Sequence, residues 1–162
     1  MGHRPRRGRA LNIHTDDLSH PAVRALLEHH LREAHLNSPP GSVFALDLSG
    51  LRDPAVTVWT AWSEGELLGI GALKELGGGA CEIKSMRTAP GHERKGIGKA
   101  MLQHLLSEAW ARGFERVLLE TGANEAFAPV RAMYEAVGFR PCAAFGDYVL
   151  TDFNRCYSLA LG

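Results

Sequence analysis

From Ser19 to about His35, Val23, Leu26, Leu27, Leu31 and Ala34 recur at helical spacing, and His30 falls on the same stripe. Ser19 is placed to cap that helix and Pro21 suits its first turn. A short apolar piece, Leu11 to Ile13, precedes it, and "LNSPPGSV" breaks it. Phe44 to Leu51 then reads as one more helical turn before "RDP". The period next changes to two. "AVTVWTAW" alternates, "SEGE" turns and "LLGIGALK" continues apolar, which predicts an antiparallel hairpin, and "ACEIKSMRT" adds a third strand. From Gly96 the helical period returns with Ile97, Met101, Leu102, Leu105, Leu106 and Ala109, and Gly113 is placed to end that helix. "FERVLLET" is a short buried strand. A further helix runs from about Ala128 to Val137, with Pro129 in its first turn and Gly138 at its end. "FRPCAAFGDYVL" and "NRCYSLAL" are expected to close the sheet as strands. No repeat and no linker divides residues 11–162, so one mixed α/β domain is expected there.

Composition fits that picture, at 45% apolar and 22% charged over 162 residues. Lys plus Arg and Asp plus Glu stand at 18 each, so no global basic field favours nucleic acid, and any anion site must be local. Arg4, Arg6, Arg7 and Arg9 make residues 1–10 a basic arm, read as solvated and disordered. It lacks the apolar stretch of a secretory signal and no run spans a membrane, so a cytoplasmic protein with no membrane partner is expected. Cys81, Cys142 and Cys156 are odd in number and lack CxxC spacing, and the histidines form no ligand set. They read as buried thiols, and no metal is expected.

The local anion site has one clear candidate. In "HERKGIGKAML", glycines lie between a strand and a helix start, where backbone N–H groups and the helix dipole favour phosphate. A triphosphate loop requires Lys and Ser or Thr after its last glycine, where Ile97 and Gly98 stand. A dinucleotide fingerprint requires a third small residue where Met101 stands, and a βαβ setting where the strands read as antiparallel. Neither ligand suits the turn. A plain connection whose glycines serve geometry alone is the remaining structural reading.

"SMRTAPGHERKGIGKA" and "MYEAVGF" together resemble the GNAT superfamily of acetyl-CoA-dependent N-acyltransferases, and in particular small bacterial members with no assigned substrate. The superfamily's [QR]xxGx[GA] signature falls on Glu93 to Gly98, with Glu93 departing from [QR]. The order of elements matches from about Val56 to Phe139. The resemblance implies a mostly antiparallel mixed sheet of about six or seven strands with helices on both faces. It also implies acetyl-CoA as co-substrate and an amine acceptor on a small molecule or peptide, and it leaves a homodimer open.

The resemblance further assigns sites. Arg94, Lys95, Gly96, Ile97, Gly98 and Lys99 would hold the CoA pyrophosphate. Met86, Arg87 and Thr88 would bind the pantetheine and thioester through the backbone, with an N–H near Met86 facing the oxyanion. Tyr134 would protonate the leaving thiolate, a thiol near pKa ~8.5 and a phenol near ~10 being close enough for efficient proton transfer. Glu82 is the first candidate base, sharing by period two a face with Lys84, Met86 and Thr88. Its bland alternative is an exposed glutamate paired with Lys84. Glu120 is the second candidate base. The superfamily's CoA-contacting asparagine position holds Phe127, and Asn124 is the nearby substitute.

Around this site, His92 is a candidate phosphate contact. Of Trp59 and Trp62, expected on opposite sheet faces, one would pack in the core and the other face the acceptor. "SPPGS", Asp147 and Tyr148 are candidates for acceptor recognition, and Arg87 and Lys84 hint at a carboxylate on the acceptor. Two other readings stay open: transfer of a different acyl group, and a catalytically silent CoA-binding sensor.

Overall fold

The computed structural model describes residues 10–37 and 47–162, so the basic arm and "SPPGS" lie outside the described residues. In chain order the elements are β1 (Asn12–Thr15), α1 (Pro21–Asn37), α2 (Leu48–Leu51), β2 (Val56–Ser63), β3 (Glu66–Gly77), β4 (Ala80–Thr88) and α3 (Ile97–Ala111). There follow β5 (Arg116–Gly122), a 3-10 turn at Glu125–Phe127, α4 (Ala128–Ala136), β6 (Arg140–Pro141) and β7 (Asn154–Ala160). The seven strands form one sheet in the order β1-β2-β3-β4-β5-β7-β6. Helices cover both faces. Ile97, Met101 and Leu105 of α3 and Tyr134 of α4 pack on one, while Val23, Leu26 and Leu27 of α1 and Leu51 of α2 pack on the other.

The hairpin turns at Glu64 and Gly65, both at positive φ, which matches the strand twist in a two-residue loop. All neighbouring strands are antiparallel except β4 and β5. A parallel pair needs a crossover, and the connection through α3 supplies it. That crossover helix sits close against the sheet. A Cβ at Gly71 would stand 2.8 Å from Met101 Cγ and 3.1 Å from Leu105 Cδ1. Gly71→Val is therefore expected to overpack this contact and cost about 1–3 kcal/mol, measured as a lower urea midpoint.

Three sequence expectations change. His20, not Ser19, caps α1: its Nδ1 accepts the Ala22 N–H at 3.0 Å, while the Ser19 hydroxyl turns to Asp17. The strand expected over "FRPCAAFGDYVL" is only Arg140–Pro141. Gly146 at φ +56 and the Tyr148 N–H to Phe145 carbonyl bond turn the rest out of the sheet. Trp59 is core, but Trp62 does not face a cleft. It lies on the opposite sheet face, stacked on His14 and met edge-on by His20 at the β1 edge. Among the described residues no helix is long and apolar enough to cross a membrane.

Candidate active site

β4 and β5 pair only from Ala80 with Arg116 to Glu82 with Leu118, although β4 continues to Thr88 and β5 to Gly122. β5 stays in register with β7 up to Gly122 and Asn154, and β4 stays with β3, so the sheet splits between them. Across the split no ladder bond joins the two backbones, which leaves their inner edges for a ligand. A cleft of about 640 Å³ fills it, reaching from the glycine turn past Tyr134 to Glu120 and α1.

At one end stands the N-terminus of α3. Gly96, at φ +78, starts the helix without any side-chain cap, so its first-turn N–H groups face outward. Arg94, itself at φ +65, and Lys99 line the cleft beside it. Gly98 has no positive φ, and a Cβ there would meet Met133 Sδ at 3.6 Å and Thr88 Oγ1 at 3.7 Å, both ordinary contacts. Nothing in the protein itself demands glycine at this position. Its smallness leaves open the space in front of it in the cleft.

At mid-cleft β4 carries a bulge at Ser85, which stands at φ +53. Ile70 pairs with Arg87 and Ala72 with Lys84, so two steps on β3 oppose three on β4. The bulge resets the alternation. Met86 joins Cys81 and Ile83 on the α3 face, while Arg87 follows Glu82 and Lys84 onto the α1 face, where it meets His29 and Glu33. The expected common face of Glu82, Lys84, Met86 and Thr88 is therefore corrected: an inserted residue breaks the period of two.

Glu82 is buried, not exposed. Its carboxylate accepts a hydrogen bond from the Tyr148 hydroxyl and lies 3.3 Å from Lys84 Nζ, which also donates to Tyr148. The turned-out segment before β7 thus ties itself to β4 through Tyr148, while Asp147 is exposed and does not line the cleft. Glu120 is held differently. Among the described residues it accepts one bond, from Asn154 Nδ2 at 3.3 Å, and burial pushes its pKa up to about 7. Glu82 adds to that rise, and Lys84 and the Asn154 bond oppose it.

Tyr134 is buried against Phe139 and lines the cleft, and burial raises the pKa of its phenol, keeping it protonated. His30, on the apolar stripe of α1, lines the far end. Burial first, then Arg87, His29 and Lys84, hold its pKa down to about 4, so the ring is neutral at pH 7. Cys81 and Cys156 lie off the cleft with pKa values pushed up to about 11 by burial, so neither offers a thiolate nucleophile.

Comparison with known proteins agrees with this geometry. The acetyltransferase (GNAT) family matches residues 20–139. The chain belongs to the GNAT acetyltransferase family. An uncharacterized N-acetyltransferase of Bacillus subtilis, YsnE, is 49% identical over 85% of this chain and 91% of its own length. Another from Escherichia coli, YedL, is 45% identical over 92% of this chain and 94% of its own. A solved acyl-CoA N-acyltransferase of Klebsiella pneumoniae shares the fold at TM-score 0.76 and 24% identity, over 94% of this chain and 98% of that one.

Against the GNAT signature, Glu93 at the [QR] position turns back on its own loop, its carboxylate accepting the Gly91 N–H at 2.9 Å. Its pKa is lowered by backbone N–H bonds, so it stays a carboxylate beside the expected phosphate site. Gly96, Ile97, Gly98, Lys99 and Arg94 line the cleft with Met86, Arg87 and Thr88. Three expected contacts do not. Lys95 Nζ faces His92 Nδ1 at 3.1 Å, and His92 Nε2 lies 2.8 Å from Glu66, so both are bound to the hairpin side. Asn124 caps the 3-10 turn, its Oδ1 accepting the Ala126 N–H. Phe127 takes that place in the lining, its ring pressed onto Gly122 where a Cβ would be 2.1 Å from it.

His30, Glu33, Met133 and Phe153 also line the cleft and were not singled out from sequence as site residues. A histidine at an apolar position of an amphipathic helix was the available signal for the first. The others carry no sequence mark of function.

Proposed function

We propose that this chain transfers the acetyl group of acetyl-CoA to a primary amine of a small molecule or peptide, by direct attack within a ternary complex, with residues 11–162 acting as one domain. The observation that carries the reading is the split between β4 and β5. It joins in one cleft an uncapped helix N-terminus fronted by Gly98, a protonated Tyr134 and a carboxyl group poised near neutrality at Glu120.

Each group has a role that its surroundings suit. Glu120 takes a proton from the incoming amine, a task for which a base near pKa 7 is matched to neutral pH. The amine nitrogen bonds to the thioester carbonyl carbon, and a backbone N–H of bulged β4 near Met86 faces the oxyanion. The C–S bond then breaks, the thiolate takes the Tyr134 proton, and the proton that Glu120 removed from the amine restores the phenol. Glu82 is the poorer base, because Tyr148 and Lys84 already engage its carboxylate.

A thiol-release assay with acetyl-CoA against an amine panel, run beside calorimetric CoA binding, tests the proposal. Binding with turnover supports it; binding with no turnover on any amine favours a sensor, and absence of CoA binding overturns both. Tyr134→Phe is expected to lower kcat by about 10–100-fold while CoA affinity changes less than threefold. The effect falls at the low end for acid catalysis because a thiolate near pKa ~8.5 is a fair leaving group unaided. Equal losses in both quantities would assign Tyr134 to packing alone.

A further inference from the structure

We infer that the acceptor amine also carries a carboxylate, and that this group docks on the Arg87 guanidinium beside His30. The inference rests on the acetyl-transfer reading for the amine, but its second anchor has its own support.

The bulge at Ser85 places Arg87 on the α1 face of β4, on the side of Glu82 and Lys84, instead of on the α3 face with Met86. The two cations there differ. Lys84 is buried, and its ammonium is engaged by Glu82 and the Tyr148 hydroxyl. Arg87 lines the cleft about one third exposed, with one terminal nitrogen 3.2 Å from His29 Nε2 and 4.0 Å from the similarly exposed Glu33. A guanidinium presents five N–H donors in a planar fork. Among the described residues those two contacts, both on one nitrogen, leave the other donors of the fork without a partner in a cleft that Arg87 lines, and a carboxylate is the group whose geometry matches it.

His30 supplies a second observation. Its Nδ1 is buried with no hydrogen-bond partner among the described residues, in the wall of the same cleft. A buried polar atom left unsatisfied is costly, and one facing a ligand space is satisfied by the ligand. A neutral imidazole has one N–H to give, which suits a carboxylate oxygen next to Arg87. The charge balance points the same way. Glu33, Glu82 and Glu120 face Lys84 and Arg87 around this end, and burial pushes the Glu120 pKa up to about 7. Such a site suits an acceptor with both an ammonium and a carboxylate, and has no surplus of carboxylates to hold a polyamine.

The test uses matched pairs. Free amino acids and their carboxamides are compared as acceptors by kcat/KM, and N-acetyl amino acids and their carboxamides are titrated into CoA-bound protein by calorimetry. The carboxylate member is expected to be favoured by about 10–100-fold in both arms, the range of a charge-assisted contact. Arg87→Met should collapse that ratio toward one and Arg87→Lys should retain part of it. His30→Leu should lower the ratio severalfold, with partial recovery in His30→Asn. Equal treatment of each pair by the wild-type protein overturns the inference, as does an Arg87→Met variant that loses CoA affinity as much as carboxylate preference. If no amine is turned over, the acetyl-transfer reading fails, and the calorimetric ratio alone upholds or overturns the carboxylate site.

Discussion

Glu120→Gln is expected to lower kcat/KM for acetyl transfer by about 10²–10⁴-fold, the range for loss of a positioned general base. The wild-type rate should rise with pH through about 7, where the Glu120 carboxyl loses its proton, and this limb should be absent in the variant. Glutamine keeps the size and can still accept the Asn154 bond, so CoA affinity should hold. Stability should move the opposite way to activity. The folded carboxyl binds its proton up to about pH 7 against 4.5 for an ordinary glutamate, so between those values the folded state holds more protons than the unfolded one. Its contribution to stability therefore declines as pH rises through that window. A neutral glutamine removes this loss, and at pH 8 the variant should melt at a higher temperature than the wild type. A variant that retains activity, or loses it together with stability, would remove Glu120 from the role of base.

Gly98→Asp is expected to weaken CoA binding by about a thousandfold while leaving the fold intact. Two unit charges at 4 Å repel by about 4 kcal/mol at an effective dielectric of 20, and a pyrophosphate over the α3 N-terminus would meet that charge at close range. The protein has room for the side chain itself, since a Cβ at this position makes contacts no closer than 3.6 Å. An aspartate in the first turn also favours the helix dipole, so the melting temperature should not fall. Calorimetry with CoA and a thermal scan on the same sample check both halves. Unchanged affinity would place the pyrophosphate elsewhere.

Much of this was legible in the chain because periodicity and glycines report backbone geometry directly. The change from period two to helical period at Gly96 marks the strand-to-helix crossover, and the near-misses to other phosphate loops leave a turn of the GNAT kind. Periodicity has no way to register an insertion. The bulge at Ser85 looks like one more residue of an alternating strand, so the side on which Arg87 emerges was hidden, and with it the character of the acceptor end. The segment after Pro141 failed for a related reason. Its apolar and aromatic residues satisfy a strand pattern, but Tyr148 reaches across to Glu82 and Lys84, a pairing set by distant parts of the chain. Whether Glu82 or Glu120 serves as base turned on which carboxylate already had partners, and only tertiary contacts reveal that.

The extra residue in β4 acts as a hand-over in the strand. Before it, odd-numbered side chains look toward α3; after it, even-numbered ones do, as Ile83 and Met86 show. The same strand can therefore send an apolar side chain to the cofactor side and a cation to the acceptor side at consecutive positions, Met86 and Arg87, just where the sheet divides. A strand of the same length and sequence that ran on without the bulge would keep the same glycine turn, yet would send Met86 and Arg87 to the opposite sides of the cleft. The bulge at Ser85 thus bears on the acceptor end of the cleft in a way that residue identity alone does not.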